Sequence, residues 1–280
     1  MTKLLDGKKL AEKIKENISR EIESSDINPS LAAVLIGDNP SSKKYLELKD
    51  KDCSEVGIDF KNFKLPSDAS ISEVKELLEE LNQDSEIDGI IVQLPAPDHL
   101  NQKEIINSIS PDKDVDGLNP YNVGKLWTGN YQLEKDLIPC TPKGIMKFFD
   151  EYDINLNGKE TVIVNRTNLV GNPLAKLMLD KNSTVTVCHS KTKNIVNKTK
   201  NAEIVITAVG NRPDFVVTED MIQKEAIVVD VGMNYSNGNL KGDVDFEKVK
   251  EKSSYITPVP GGVGPMTRVI LLENVLIASK

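Results

Sequence analysis

The sequence predicts an α/β protein of two lobes, and three observations carry that expectation. Short apolar runs recur along the 280-residue chain, and amphipathic stretches of helical period separate them. The runs are continuous rather than alternating, as in strands of a parallel sheet covered on both faces. A rigid turn, Ile138-Pro139-Cys140-Thr141-Pro142-Lys143-Gly144, parts them into two sets. We place the lobes at residues 1–140 plus 267–280 and at 141–266.

Taken in order, Leu10, Ile14, Ile18 and Ile22 recur every four residues and predict a helix over 7–23. Leu31 to Ile36 reads as a buried strand. The turn Gly37-Asp38-Asn39-Pro40 leads into a helix, with Ser41 or Ser42 as its N-cap and Gly57 just past its end. Residues 58–63 form a second strand, and Ile71, Val74, Leu77, Leu78 and Leu81 a further helix. Gly89 to Leu94 is a third strand, stopped by Pro95 and Pro97. In the second half, strands are expected at 161–164, within 184–191 (the strand and its end), and at 203–207, 226–230 and 254–257, with a last helix over 267–278.

Composition excludes several classes. Apolar content of 39% supports a real core, and a net charge of −8 argues against non-specific nucleic-acid binding. No apolar run is long enough to span a bilayer, and residues 1–6 lack the core of a signal peptide. Cys53, Cys140 and Cys188 are far apart and odd in number, so they read as free thiols in a reducing compartment, the cytoplasm. With only His99 and His189 and no clustered cysteines, a metal site is not expected.

Tyr45 and Lys49 lie one turn apart on one helical face. Alone, the pair reads as a surface tyrosine on a lysine stem. The alternative is a phenol beside an ammonium, able to hold a planar substrate and move a proton. Parallel sheets bind ligands beyond the carboxyl ends of their strands. Gln93 sits at such an end, where its neutral amide orients Lys49 or merely satisfies the strand. Asp114 and Asp116 alternate before Gly117: one carboxylate could accept two hydrogen bonds from an amino-pyrimidine edge, or the loop is an Asx-turn.

The run from Asn165 through Arg166, Thr167 and Gly171 to Pro173 lies between a strand and a helix, where a nucleotide-binding lobe keeps its phosphate loop. It does not match G-x-G-x-x-G. At the end of the next strand stand Ser190 and Lys191, with Arg166 opposite and no acid. That favours the 2′-phosphate of NADP over the ribose of NAD. Pro258-Val259-Pro260-Gly261-Gly262-Val263-Gly264 joins stiffness to close backbone approach, as suits a flat ligand.

Together these stretches resemble the bifunctional methylenetetrahydrofolate dehydrogenase (NADP+)/methenyltetrahydrofolate cyclohydrolase family. The matching pieces are Tyr-x-x-x-Lys after Gly-Asp-Asn-Pro-Ser-Ser, Val92 to Pro95, Lys113 to Gly117, Pro139 to Gly144, Cys188-His189-Ser190 and Pro258 to Thr267, in the family's order. The resemblance implies a folate-binding catalytic lobe and a Rossmann-like NADP-binding lobe with the active-site cleft between them. It implies that Tyr45 stacks on the folate, Lys49 is the key catalytic group, Gln93 tunes it and Asp116 anchors the pterin. Pro260, Gly261 and Gly262 would lie where folate and nicotinamide meet. Asn165, Arg166, Thr167, Gly171 and Ser190 would hold NADP, and homodimers would form through the cofactor lobe.

One departure stands out. The family usually opens its phosphate loop with Gly-Arg-Ser; here it is Asn165-Arg166-Thr167, and asparagine tolerates positive φ better than other non-glycine residues. Tyr-x-x-x-Lys also marks short-chain dehydrogenases, but there it follows the first nucleotide-binding strands, whereas here it precedes Arg166 by more than a hundred residues. The nearer alternative is a monofunctional NAD-dependent methylenetetrahydrofolate dehydrogenase. A non-enzymatic folate- or nucleotide-binding protein is the rival of another class, and the joint presence of Tyr45, Lys49, Gln93 and Asp116 weighs against it.

Overall fold

The computed structural model describes residues 2–236 and 239–280. In chain order the elements begin β1 (Lys3–Leu4), α1 (Gly7–Glu23), β2 (Ser30–Ile36), α2 (Pro40–Val56), β3 (Asp59–Leu65), α3 (Ile71–Gln83) and β4 (Gly89–Val92). Then come α4 (Gln102–Asn107), α5 (Pro120–Thr128), α6 (Cys140–Glu151), β5 (Glu160–Val164), α7 (Gly171–Asp180), β6 (Thr184–Cys188), α8 (Ile195–Lys200) and β7 (Ile204–Thr207). The chain closes with a 3₁₀ turn (Glu219–Met221), β8 (Ile227–Asp230), β9 (Asn234–Ser236), β10 (Asn239–Lys241), α9 (Phe246–Lys252), β11 (Tyr255–Ile256) and α10 (Val263–Ala278).

Two compact units emerge. One joins Lys13–Cys140 to Arg268–Lys280; the other joins the residues up to Glu12 to Thr141–Thr267. The sequence-based boundary had kept residues 1–12 with the first lobe. They go with the second because β1 pairs in parallel with β11, and Leu5 donates its N–H to Ile256 O at 2.9 Å.

In the first unit a three-stranded parallel sheet runs β3-β2-β4. β2 is buried at every position, which explains its unbroken apolar run. Val34, Ile90, Val74, Leu78, Leu81 and Ile105 belong to one core on its face. The second strand runs to Leu65 rather than ending at 63, so that all seven β2 residues find partners before Pro66. Helices α4 and α5, short and weakly patterned, were not expected. Each starts on an asparagine cap, Asn101 and Asn119.

The second unit holds a six-stranded parallel sheet in the order β1-β11-β8-β7-β5-β6. From β5 the chain steps to β6 on one side, then returns to β7 on the other. The switch point of this doubly wound sheet, where such folds bind ligands beyond the strand ends, therefore lies between β5 and β7. The small hairpin β9–β10 sits outside the main sheet. α10 starts at Val263, four residues before the expected 267. Gly264 and Pro265 fall in its first turn, where a missing N–H costs nothing.

Candidate active site

The residues of the first unit come to one place. Asn39, not Ser41 or Ser42, caps α2: its Oδ1 accepts from Ser41 N at 2.9 Å and Ser42 N at 3.2 Å. Pro40 follows at the first helical position, with φ already suited to a helix. Gly57 closes the helix at φ 86°, the left-handed conformation. The helix thus presents half-buried Tyr45 and Lys49 one turn apart.

Gln93 is the first residue past β4, held there by its N–H on Val34 O at 2.9 Å. Lys49 Nζ donates to Gln93 Oε1 at 3.1 Å, and Gln93 Nε2 donates to Leu94 O at 2.9 Å. The second bond fixes which end of the amide faces the lysine. Lys49 is bonded to a neutral acceptor, which does not trap its proton as a carboxylate would.

The two aspartates divide the work. Asp114 is buried, accepts from Asn119 N at 2.7 Å and Asn122 Nδ2 at 3.0 Å, and bridges to Ile90 beside β4. It builds the loop. Asp116 points elsewhere: its Oδ1 accepts a long contact from Cys140 Sγ at 3.9 Å. Burial pushes the Asp116 carboxyl above its ordinary range, while the Lys49 charge and the thiol pull it back. Its backbone is held from both sides. Gly117 has φ +68°, and a Cβ there would meet Ile138 C at 2.6 Å. Asn274 of α10 donates to Val115 O at 2.8 Å and Ile138 O at 2.9 Å.

In the second unit, β5 and β6 are in register from Glu160↔Thr184 to Val164↔Cys188. Arg166 and Ser190 therefore each stand two residues beyond paired strand ends, and both are exposed. Asn165 and Thr167 begin the turn into α7. Gly171 at its start is obligatory, since a Cβ would lie 2.0 Å from Asn165 O. Asn165 does not have positive φ, so the expected backbone reason for asparagine is not the one at work. Pro260, Gly261 and Gly262 lie between β11 and α10. Gly261 has φ +106°, and its O accepts from Lys8 N at 3.0 Å. Gly262 O sits 1.8 Å from where a Gly7 Cβ would be, so this loop packs on the start of α1. These groups fit a dinucleotide: basic and hydroxyl donors at adjacent strand ends, a glycine-floored turn into a helix, and no acid among residues 188–191.

Residues 5–116 match the model of the tetrahydrofolate dehydrogenase/cyclohydrolase catalytic domain, and residues 139–280 that of its NAD(P)-binding domain. The chain belongs to the tetrahydrofolate dehydrogenase/cyclohydrolase family. It is 49% identical over 281 residues to the bifunctional protein FolD of Thermodesulfovibrio yellowstonii, covering 99% of this chain and 96% of that protein. The crystal structure of the bifunctional FolD enzyme of Campylobacter jejuni superposes with a TM-score of 0.94 at 45% identity, covering 100% and 99%. The Trypanosoma brucei FolD, crystallised with NADP cofactor and an inhibitor, gives 0.92 at 30% identity, covering 99% and 97%.

Several residues that shape this family member's site escaped the sequence reading. Asp52, one turn beyond Lys49 and buried, pairs with Lys15 Nζ at 2.6 Å and with Arg268 at 3.1 Å, which orients α2. Asp243, fully buried, accepts from Thr207 Oγ1 (2.9 Å), Val209 N (2.7 Å), Gly210 N (2.9 Å) and Asn234 Nδ2 (3.1 Å), and so sets the loop after β7. Asp230 accepts from Gly232 N, Asp243 N and Val244 N, each at 2.9 Å, and burial pushes its carboxyl up to about 6. The one available signal was glycine beside acid: a Cβ on Gly232 or Gly242 would strike these carboxylates at 2.3 and 1.9 Å.

Asp114 yields a pH prediction. Burial pushes its carboxyl from the ordinary 3.8 up to about 7, against its hydrogen bonds. A raised folded pKa means the folded chain holds the proton more tightly than the unfolded chain. Asp114 thus loses stabilising effect as pH rises from about 4 to about 7. The difference in unfolding free energy between wild type and Asp114→Asn, from urea titrations, should move against the wild type across that window. A flat difference would refute the shift.

Among the described residues there is no group of three or more histidine, cysteine or acidic side chains placed to hold a metal ion. Among the same residues no helix is long and apolar enough to cross a membrane.

Proposed function

We propose that this chain oxidises 5,10-methylenetetrahydrofolate to 5,10-methenyltetrahydrofolate with NADP and hydrolyses that product to 10-formyltetrahydrofolate. The observation that carries the reading is the Lys49–Gln93 hydrogen bond at 3.1 Å with the Asp116 carboxyl in the field of the same lysine. It is a proton-handling pair beside an unsaturated acceptor, in a chain whose whole-length relatives are named bifunctional. The same relatives disfavour the monofunctional NAD-dependent alternative.

NADP, when bound, supplies the hydride acceptor. Arg166 and Ser190 take its 2′-phosphate, Thr167 and Gly171 belong to the loop under its phosphates, and Asn165 opens that loop. Gly261 and Gly262 would offer the ring systems backbone without side chains, with Pro260 stiffening the loop. On the folate, Asp116 accepts the adjacent N–H donors of the amino-pyrimidine, and Tyr45 stacks on the ring. The methenyl product is a cation shared over N5 and N10. Water adds to its bridging carbon and Lys49 takes or relays the first proton that water releases; the C–N5 bond then breaks as the remaining hydroxyl proton passes to N5 and the carbonyl forms, which leaves the formyl group on N10. Gln93 keeps Nζ aimed while taking no proton from it.

Two copies associate through the cofactor-binding unit. β6 is the sheet's outermost strand there, and its residues up to Val187 are not fully covered. Light scattering at twice 30.9 kDa is the expected result; a monomer at micromolar concentration would refute it. Cys53, Cys140 and Cys188 are buried thiols in no disulfide, which supports a reducing compartment, the cytoplasm.

The deciding experiment measures both reactions on the purified protein. Absorbance should report reduction of NADP in preference to NAD with methylenetetrahydrofolate. Decay of the methenyl chromophore should be faster than in buffer. Turnover with neither folate would leave the binding-protein reading standing.

A further inference from the structure

Asn165 stands directly after β5, at the switch point of the cofactor-binding sheet, where the resemblance leads one to expect glycine. Its side chain is engaged at both ends of the amide. Oδ1 accepts from Thr167 N at 2.8 Å, Thr167 Oγ1 at 2.8 Å and Gly171 N at 3.0 Å. Nδ2 donates to Ala208 O at 2.6 Å. Ala208 is the first residue past β7, and its own N–H reaches back to Val164 O at 3.3 Å. One amide therefore ties the phosphate loop to itself and to the strand end across the switch point. The loop after Ala208 is pinned in turn by Asp243, through Val209 N and Gly210 N.

The backbone does not require asparagine here, since its φ is not left-handed. What the side chain contributes is hydrogen bonding. Residues 166–169 are exposed, and in a loop without an internal acceptor the N–H groups of Thr167 and Gly171 would pair with water. A dinucleotide would then have to order the loop as it bound, and that cost is deducted from affinity. Neither Arg166 nor Ser190 is a hydrogen-bond partner of the Asn165 side chain.

We propose that Asn165 is a positioning residue that holds the phosphate loop formed before the cofactor arrives. It sets affinity for the dinucleotide part common to NADP and NAD, and leaves the choice between them to the groups at the 2′ position. The proposal rests on the cofactor reading given above.

The test is calorimetric titration of NADP and of NAD into the full-length protein, with thermal unfolding to verify the fold of each variant. Asn165→Ala removes the amide without adding bulk. It should raise both dissociation constants by the same factor, about 10-fold for a few modest net hydrogen bonds. Asn165→Ser, which keeps a shorter acceptor, should fall between. Arg166→Ala should weaken NADP alone. Unchanged constants in Asn165→Ala would overturn the proposal, as would tighter binding, which would mean that the amide blocks donors a phosphate needs. A loss confined to NADP would also overturn it, by placing Asn165 at the 2′-phosphate. Wild-type protein that bound neither dinucleotide would instead remove the cofactor reading on which it rests.

Discussion

Lys49→Met lowers the cyclohydrolase rate by about 100- to 10,000-fold, the usual range for a lost general acid or base. Methionine matches the lysine stem in length, so the packing of α2 survives and only the amine is removed. Gln93 Oε1 then loses its donor, yet it lies half-buried at a strand end where water can replace the amine. The dehydrogenase should fall less, because hydride transfer depends on alignment more than on a proton acceptor. The measurement is the decay of the methenyl chromophore under saturating substrate, beside NADP reduction by the same preparation. A variant that kept the full cyclohydrolase rate would refute the assignment of Lys49.

Asp116→Ala should raise the KM for the folate about 100-fold. Two charge-assisted hydrogen bonds to adjacent N–H donors are worth roughly 1.5–3 kcal/mol each net of water, and the low end of that range gives the expected factor. The loop should outlast the substitution. Asp114 carries its internal bonds, Asn274 holds Val115 and Ile138 from α10, and Gly117 keeps the turn. Asp116 itself contributes one long thiol contact. A purely structural aspartate would show the opposite pattern: a lowered melting temperature with KM unchanged. Asp116→Asn keeps one acceptor and should fall between alanine and wild type.

The pairing of Asp114 with Asp116 shows where sequence reasoning stops. Spacing put two carboxylates in one loop, and both an Asx-turn and a ligand contact were open. The structure gives Asp114 a longer-range brace than an Asx-turn, and the ligand contact is the role proposed for Asp116. Asp114 braces the loop through Asn119 N and Asn122 Nδ2, five and eight residues on, which come within reach once α5 folds back on the loop. That helix is short and opens on Pro120, so its sequence carries little periodic signal. Asp52, Asp243 and Asn274 were hidden for a related reason. Their partners lie 37, 36 and 159 residues away, as Lys15, Thr207 and Val115, and no local pattern encodes such pairings.

Periodicity and apolar runs alone determined the α/β class, α1 to the residue and the core strands to within two or three. Residue types alone determined the Tyr45–Lys49 helix and the placing of Gln93 at a strand end, and they suggested the 2′-phosphate role proposed for Arg166 and Ser190. Only the tertiary structure decided that β1 belongs to the second sheet, that Asn39 rather than a serine caps α2, and that Asn165 acts through its amide rather than its φ. The physical reason is common to all three. Period and propensity are properties of neighbouring residues, whereas a hydrogen bond or a strand pairing is settled by which distant group the fold delivers to it.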